Sequence, residues 1–179
     1  MNIIKSTNQI SSCKGGDAVT DMCIAAANHI IERINLFNEG KDFRQQVLMT
    51  SKRLQKILYF SDILYMLENN KKSMFKDEFY AWPSGPVIPS VYEEFMQYQN
   101  GAMRPHTEGK HSRLTPSMIS ALDRVIDATM TLDTSELIKT SHVEDGPWQS
   151  VFDETDYKLI SKSKIYSFYD KKGAPYGAL

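Results

Sequence analysis

The chain lacks most of the residues and motifs that announce chemistry. It has two cysteines in 179 residues, Cys13 and Cys23. Neither has a close cysteine partner, which excludes a CxxC-type zinc site and a disulfide framework. There is no glycine-rich phosphate loop ending in Lys-Ser/Thr, no GxGxxG, no HExxH and no GxSxG. Long apolar runs are also missing, so no segment reads as a membrane span. The amino-terminal MNIIKSTNQISSCKGGD has no sustained apolar core and is not read as a secretory signal. The formal net charge is −1, so the protein as a whole carries no electrostatic footprint for nucleic acid or an anionic membrane. No cofactor is implied, and cytoplasmic residence is the default expectation.

What is present is an ordinary globular composition, 41% apolar and 24% charged, long enough for one domain with a sizeable core. Helical spacing of apolar residues dominates. Asp17 is placed to cap a helix to about Phe37, with Val19, Met22, Ala26, Ile30, Ile34 and Phe37 as its stripe. Thr50 or Ser51 caps a second, to about Leu67, whose stripe of Leu54, Ile57, Leu58, Ser61, Leu64 and Tyr65 is widened by Phe60 and Ile63. Thr115-Pro116 opens another, with Ile119, Leu122, Val125, Ile126 and Met130 facing inward. Asp133 or Thr134 opens a shorter helix to about His142, Pro147-Trp148 starts a short helical piece, and Ser161 caps a last helix over 162–170.

Between the second and third long helices lies FYAWPSGPVIPSVYEEF, Phe79 to Phe95. Pro83, Pro86 and Pro89 fix φ and remove three donors, and Gly85 permits a backbone that other residues resist. The stretch reads as a strand over Phe79–Trp82, a stiff turn, and a helix from Pro89 or Ser90 to Tyr98; Met74-Phe75 is the nearest partner for the strand. The expected fold is mainly α: a compact single-domain helical bundle with a small β-hairpin and a Trp/Gly/Pro elbow. Residues 1–16 are expected to form a flexible extension, 17–170 the domain, and 171–179 a loose tail.

Charge is segregated. Seven acids (Asp133, Glu136, Glu144, Asp145, Asp153, Glu154 and Asp156) stand against Lys139 alone between Asp133 and Asp156. From Lys41 to Lys56, five bases stand against Asp42. Lys52, Arg53 and Lys56 fall at i, i+1 and i+4 and read as a solvated outer helix face. The acidic segment is the candidate for meeting a basic partner. His106, His111 and His142 lack metal-ligand spacing. His142 with Asp145 is the pair on which a small hydrolase or transferase could be built, and that reading expects a concave pocket around Trp148 and His142. The residues by themselves stop at a soluble, mostly helical domain with a rigid aromatic elbow, a binding protein rather than an enzyme.

Three stretches in order carry a resemblance. SKRLQKILYF, Ser51 to Phe60, is similar to the KLQKLLYF helix of the Panacea antitoxin domain, the family of SocA-like and GepA-like phage-associated proteins. AWPSGPVIPSVY, Ala81 to Tyr92, resembles that family's AW–GPV–P–VY segment, and SHVEDGPW, Ser141 to Trp148, its (T/S)H–GPW element. Ala26, Asn28, Ile30 and Ile31 fit its first helix. The family positions are Leu54, Gln55, Lys56, Leu58, Tyr59 and Phe60; Trp82, Gly85, Pro86, Val87, Pro89 and Tyr92; His142, Gly146, Pro147 and Trp148. Most are expected to be scaffold. Pro83-Ser84 departs from the bulkier pair usual before Gly85.

The resemblance implies a bacterial, non-catalytic antitoxin of a type II toxin–antitoxin pair. Its partner would be a cognate protein toxin from an adjacent gene, neutralised by direct contact. A SocA-like member can instead act as an adaptor delivering its toxin to a protease, and a phage interaction protein without a toxin is a further alternative. No catalytic or cofactor residues carry over.

Overall fold

The fold is built around one helix that is buried on every side. A computed structural model describes residues 20–98, 103–105 and 114–178. The expected extension over 1–16, Cys13, Asp17, Val19, His106 and His111 lie outside the described residues. The central helix is α2, Ser51–Glu68, preceded by α1, Thr20–Asn38. Thr50 caps α2, its side chain accepting from the Arg53 N–H at 3.1 Å. Every residue from Arg53 to Met66 is buried, as in a helix packed on all sides. Around α2 stand α1, α3 (Pro89–Phe95), α4 (Pro116–Thr129), α5 (Thr134–Ser141), α6 (Lys162–Lys172) and one face of a small sheet. In α1 the small run Ala25–Ala27 is buried along with Ile30, Ile31 and Ile34.

The sheet corrects one expectation. β1, Phe79–Trp82, does not pair with Met74-Phe75. It pairs antiparallel with β2, Gly85–Val87, on one side and with β3, Leu159–Ile160, on the other. Trp82 faces Gly85 across a two-residue Pro83-Ser84 turn, so the elbow is itself the hairpin. Gly85 has φ +99°, a conformation that favours glycine. β2 is an edge strand, where a proline without an N–H is tolerated. Pro89 then takes the first turn of α3, and a 3₁₀ turn over Met96–Tyr98 completes the helix expected to reach Tyr98.

Four smaller differences follow from packing. Ile119, expected inside, is 36% exposed, because the buried stripe of α4 runs through Met118, Leu122, Val125 and Ile126. Residues 147–151 form consecutive turns, not a helix. The last helix runs on to Lys172. The tail expected to be loose has contacts: the Tyr176 ring meets Phe60 edge-on at 4.9 Å, and its hydroxyl lies 2.9 Å from Thr140 Oγ1. No described helix is long and apolar enough to cross a membrane.

Candidate functional site

The three stretches singled out in the sequence, far apart along the chain, converge on Lys56. Its side chain is fully buried, and Nζ donates to the Pro86 carbonyl at 2.6 Å. The expectation of a solvated basic face on α2 is therefore overturned. Lys52 alone of the three is exposed; Arg53 donates to the carbonyls of Thr129 (2.8 Å), Met130 (3.2 Å) and Leu132 (2.9 Å) at the carboxyl end of α4. An enclosed helix has no outer face, so long cationic side chains reach for backbone carbonyls, here partly at a helix C-terminus. Burial, and then the charge on Lys52, lower the Lys56 pKa to about 7.

Gly85 fits against this amine. A Cβ there would stand 2.5 Å from Ser141 Oγ and 2.7 Å from Lys56 Cε. Ser141, at the end of α5, turns its hydroxyl to the Ile138 carbonyl at 2.7 Å. His142 follows as the residue capping the C-terminus of α5. Its ring stacks on Trp148 with centroids 3.5 Å apart and planes 4° from parallel, and Trp148 stacks on Phe152 at 4.4 Å. Trp148 Nε1–H donates to the Trp82 carbonyl at 2.9 Å, tying the Gly-Pro-Trp turn to the hairpin. Gly146 is packed so closely that a Cβ would meet Val143 Cγ1 at 2.6 Å. On the other side Gln55 clamps the chain entering α3: the Ile88 N–H donates to its Oε1 at 2.8 Å, and its Nε2 donates to the Ile88 carbonyl at 3.3 Å. Leu54 and Tyr59 are core, Tyr59 edge-on to Phe79 at 5.2 Å, and Tyr92 meets Trp82 at 4.9 Å.

The polar groups of this junction bind one another and the backbone. Lys56 has the depressed pKa of a base, but it and Ser141 are buried, and a base needs hydrogen-bond reach to a substrate. His142 is held below its usual pKa by burial and then by Lys56. Among the described residues no hydrogen bond or ion pair joins His142 to Asp145, whose N–H is bound by Gln149 Oε1 at 2.7 Å. A groove of about 800 Å³ does open beside His142, between α5, α6 and the tail, lined by Lys139, Thr140, Val143, Phe168 and Tyr176 among others; Trp148 and Asp145 do not line it. No group of acidic, histidine or cysteine side chains suited to a metal ion occurs among the described residues.

The seven acids do not form one patch of equivalent groups. Asp133 and Glu136 make a capping box on α5, Asp133 N–H donating to Glu136 Oε2 at 2.9 Å. Asp153 pairs with Lys158 Nζ at 2.8 Å and accepts from Thr155 N–H and Oγ1. The Lys158 hydrogen bond first, then those from Thr155, hold its carboxyl well below the usual range. Glu144, Asp145, Glu154 and Asp156 stand exposed.

Sequence reasoning missed two features. Asp62, fully buried on α2, accepts from Met74 N–H at 2.6 Å and from Ser73 Oγ; burial raises its pKa to about 6 against those bonds. The outer face of the sheet, where Tyr157 stacks on Trp82 at 5.1 Å, was also unseen. The alternation Tyr157–Ile160 was its only signal, too short to read as a strand.

The family model described as "Antitoxin SocA-like, Panacea domain" matches residues 54–149, more than half of the chain, from the first turn of α2 through the Trp148 turn. Antitoxin SocA of Caulobacter vibrioides (strain NA1000 / CB15N) is 26% identical over 108 residues, 55% of this chain and 57% of that protein; the chain thus spans little more than half of that relative's length. No solved structure matches. The family-model match, which spans α2, the hairpin and the Gly-Pro-Trp turn alike, shows that this chain belongs to the SocA-like Panacea domain family.

Proposed function

We propose that this chain is the antitoxin of a type II toxin–antitoxin pair, and that it neutralises a cognate protein toxin, encoded by an adjacent gene, by binding it and covering its active site. The observation that carries the reading is the family match over residues 54–149, with the likeness to a protein named as an antitoxin beside it. The geometry is in keeping with a binding role. Among the family positions, Lys56, Gly85, Gln55 and Trp148 are buried and hold the interior together. His142, the best candidate for catalysis, is stacked on Trp148 and has no bond to Asp145. The chain is therefore read as non-catalytic. Of the seven acids, Glu144, Asp145, Glu154 and Asp156, which lie outside the capping box and the Asp153–Lys158 pair, are the candidate toxin contacts, standing in for phosphates if the toxin acts on a nucleotide or RNA.

The test is co-expression with the product of the neighbouring gene. The expected result is growth arrest by the neighbour alone, and rescue by this chain with the two purifying as a complex. A harmless neighbour would overturn the reading. Rescue without a complex would transfer the case to delivery of the toxin to a protease.

A further inference from the structure

We propose that the outer face of the sheet is a docking surface for an arginine-presenting, basic segment of the protein partner. This rests on the antitoxin reading and adds where the partner seats and what chemistry it brings. Burial along β1 alternates: Phe79 and Ala81 are buried, and Tyr80 and Trp82 are half-buried on the opposite face. β3 places Leu159 opposite Tyr80, and Tyr157 lies two residues earlier; each is 46% exposed. Tyr157 stacks on the Trp82 ring, centroids 5.1 Å apart, while Tyr92 meets it edge-on from α3. The solvent face of a small antiparallel sheet is ordinarily polar. Here it is aromatic and apolar.

The loop over 148–157 begins and ends on Trp82: Trp148 Nε1–H binds its carbonyl, and Tyr157 stacks on its ring. The segment 144–156 carries five acids and no base. Asp153 is spent on holding the loop through Lys158 and Thr155, and Lys164 Nζ binds Ser150 Oγ at 3.2 Å. Glu154 and Asp156, three residues and one residue before Tyr157 and both exposed, still leave the chain that enters the aromatic face acidic. Carboxylates beside flat rings select a cation that can both stack and donate in a fork, which is the guanidinium rather than the ammonium group. The same carboxylates repel nucleic acid and anionic lipid.

The test uses the full chain with hexa-arginine and hexa-lysine peptides as probes, titrated calorimetrically at low and moderate salt. The expected result is binding that weakens with salt, with hexa-arginine preferred by about threefold, the size of an exposed cation–π contact. Tyr157→Ala removes that preference. Glu154→Lys with Asp156→Lys weakens both peptides, and the control Glu32→Lys on α1 with Glu39→Lys just past its end changes neither. Equal binding of the two peptides by wild type, or equal loss in the α1 control, overturns the proposal. The double reversal touches only exposed side chains, so it answers even where Tyr157→Ala disturbs folding. In the growth assay, rescue that survives the Glu154/Asp156 reversal sinks this surface and leaves the antitoxin reading standing. Absence of rescue by wild type, with the arginine preference intact, does the reverse.

Discussion

Lys56 and Gly85 show what single residues do at the junction. The Lys56 pKa falls from 10.5 to about 7 on folding. A lowered pKa contributes stability that is present above the unfolded value and lost as pH falls through the folded one. Wild type should therefore gain stability between pH 7 and 9, below the usual ionisation of the buried tyrosines. Lys56→Met should flatten that gain, read as urea midpoints at each pH. A midpoint rising equally in the variant would contradict the assignment. Asp62 acts in a separate window: its raised pKa contributes stability below about pH 4 that is lost as pH rises through about 6. At Gly85 an alanine meets a positive φ, Ser141 Oγ and Lys56 Cε together. Gly85→Ala should cost about 3 kcal/mol from backbone strain and overpacking, and a change below about 1 kcal/mol in chemical denaturation would show that the junction yields.

At the scale of elements, the helices were legible and the sheet was only half so. Thr50 and Thr115 cap where their sequences say, and Asp133 with Glu136 forms the box that S/T/D-x-x-E spacing signals. Period and caps are local, so one sequence displays them. The pairing of β1 is not local: β3 lies about eighty residues on and is two residues long, too short for any periodicity to announce. The burial of Lys56 and Arg53 was hidden for the same reason, because their partners, Pro86 and the end of α4, come from other elements. The resemblance found the junction residues but could not say that they converge on one amine. Gln55 gives the element-scale prediction. Gln55→Ala strands the buried Ile88 N–H and frees the entry to α3, for a loss of about 1–3 kcal/mol; hydrogen exchange should speed up at Ile88 and through α3 well before α4. Uniform acceleration across both helices would contradict this.

For the whole molecule, what matters is the division between a committed interior and an uncommitted exterior. The buried family positions hold α2, the hairpin and the Trp148 turn in register; the exposed acids Glu144, Asp145, Glu154 and Asp156 take no part in it, and Trp82 serves both regions, its carbonyl within the register and its ring on the sheet face. Substitutions in the two regions should accordingly separate. Asp133→Ala breaks the α5 capping box and should cost about 1 kcal/mol of stability without altering partner affinity. Reversal of Glu144 and Asp145 should leave the melting temperature in place and slow association in a salt-dependent way. The most direct measurement takes the purified chain and the purified product of the neighbouring gene, with no protease present, and follows the toxin's activity as the chain is added. The account predicts loss of activity in proportion to the chain added, complete at a fixed stoichiometry. Full activity at every ratio, lost only when a protease is supplied, would contradict neutralisation by direct occlusion.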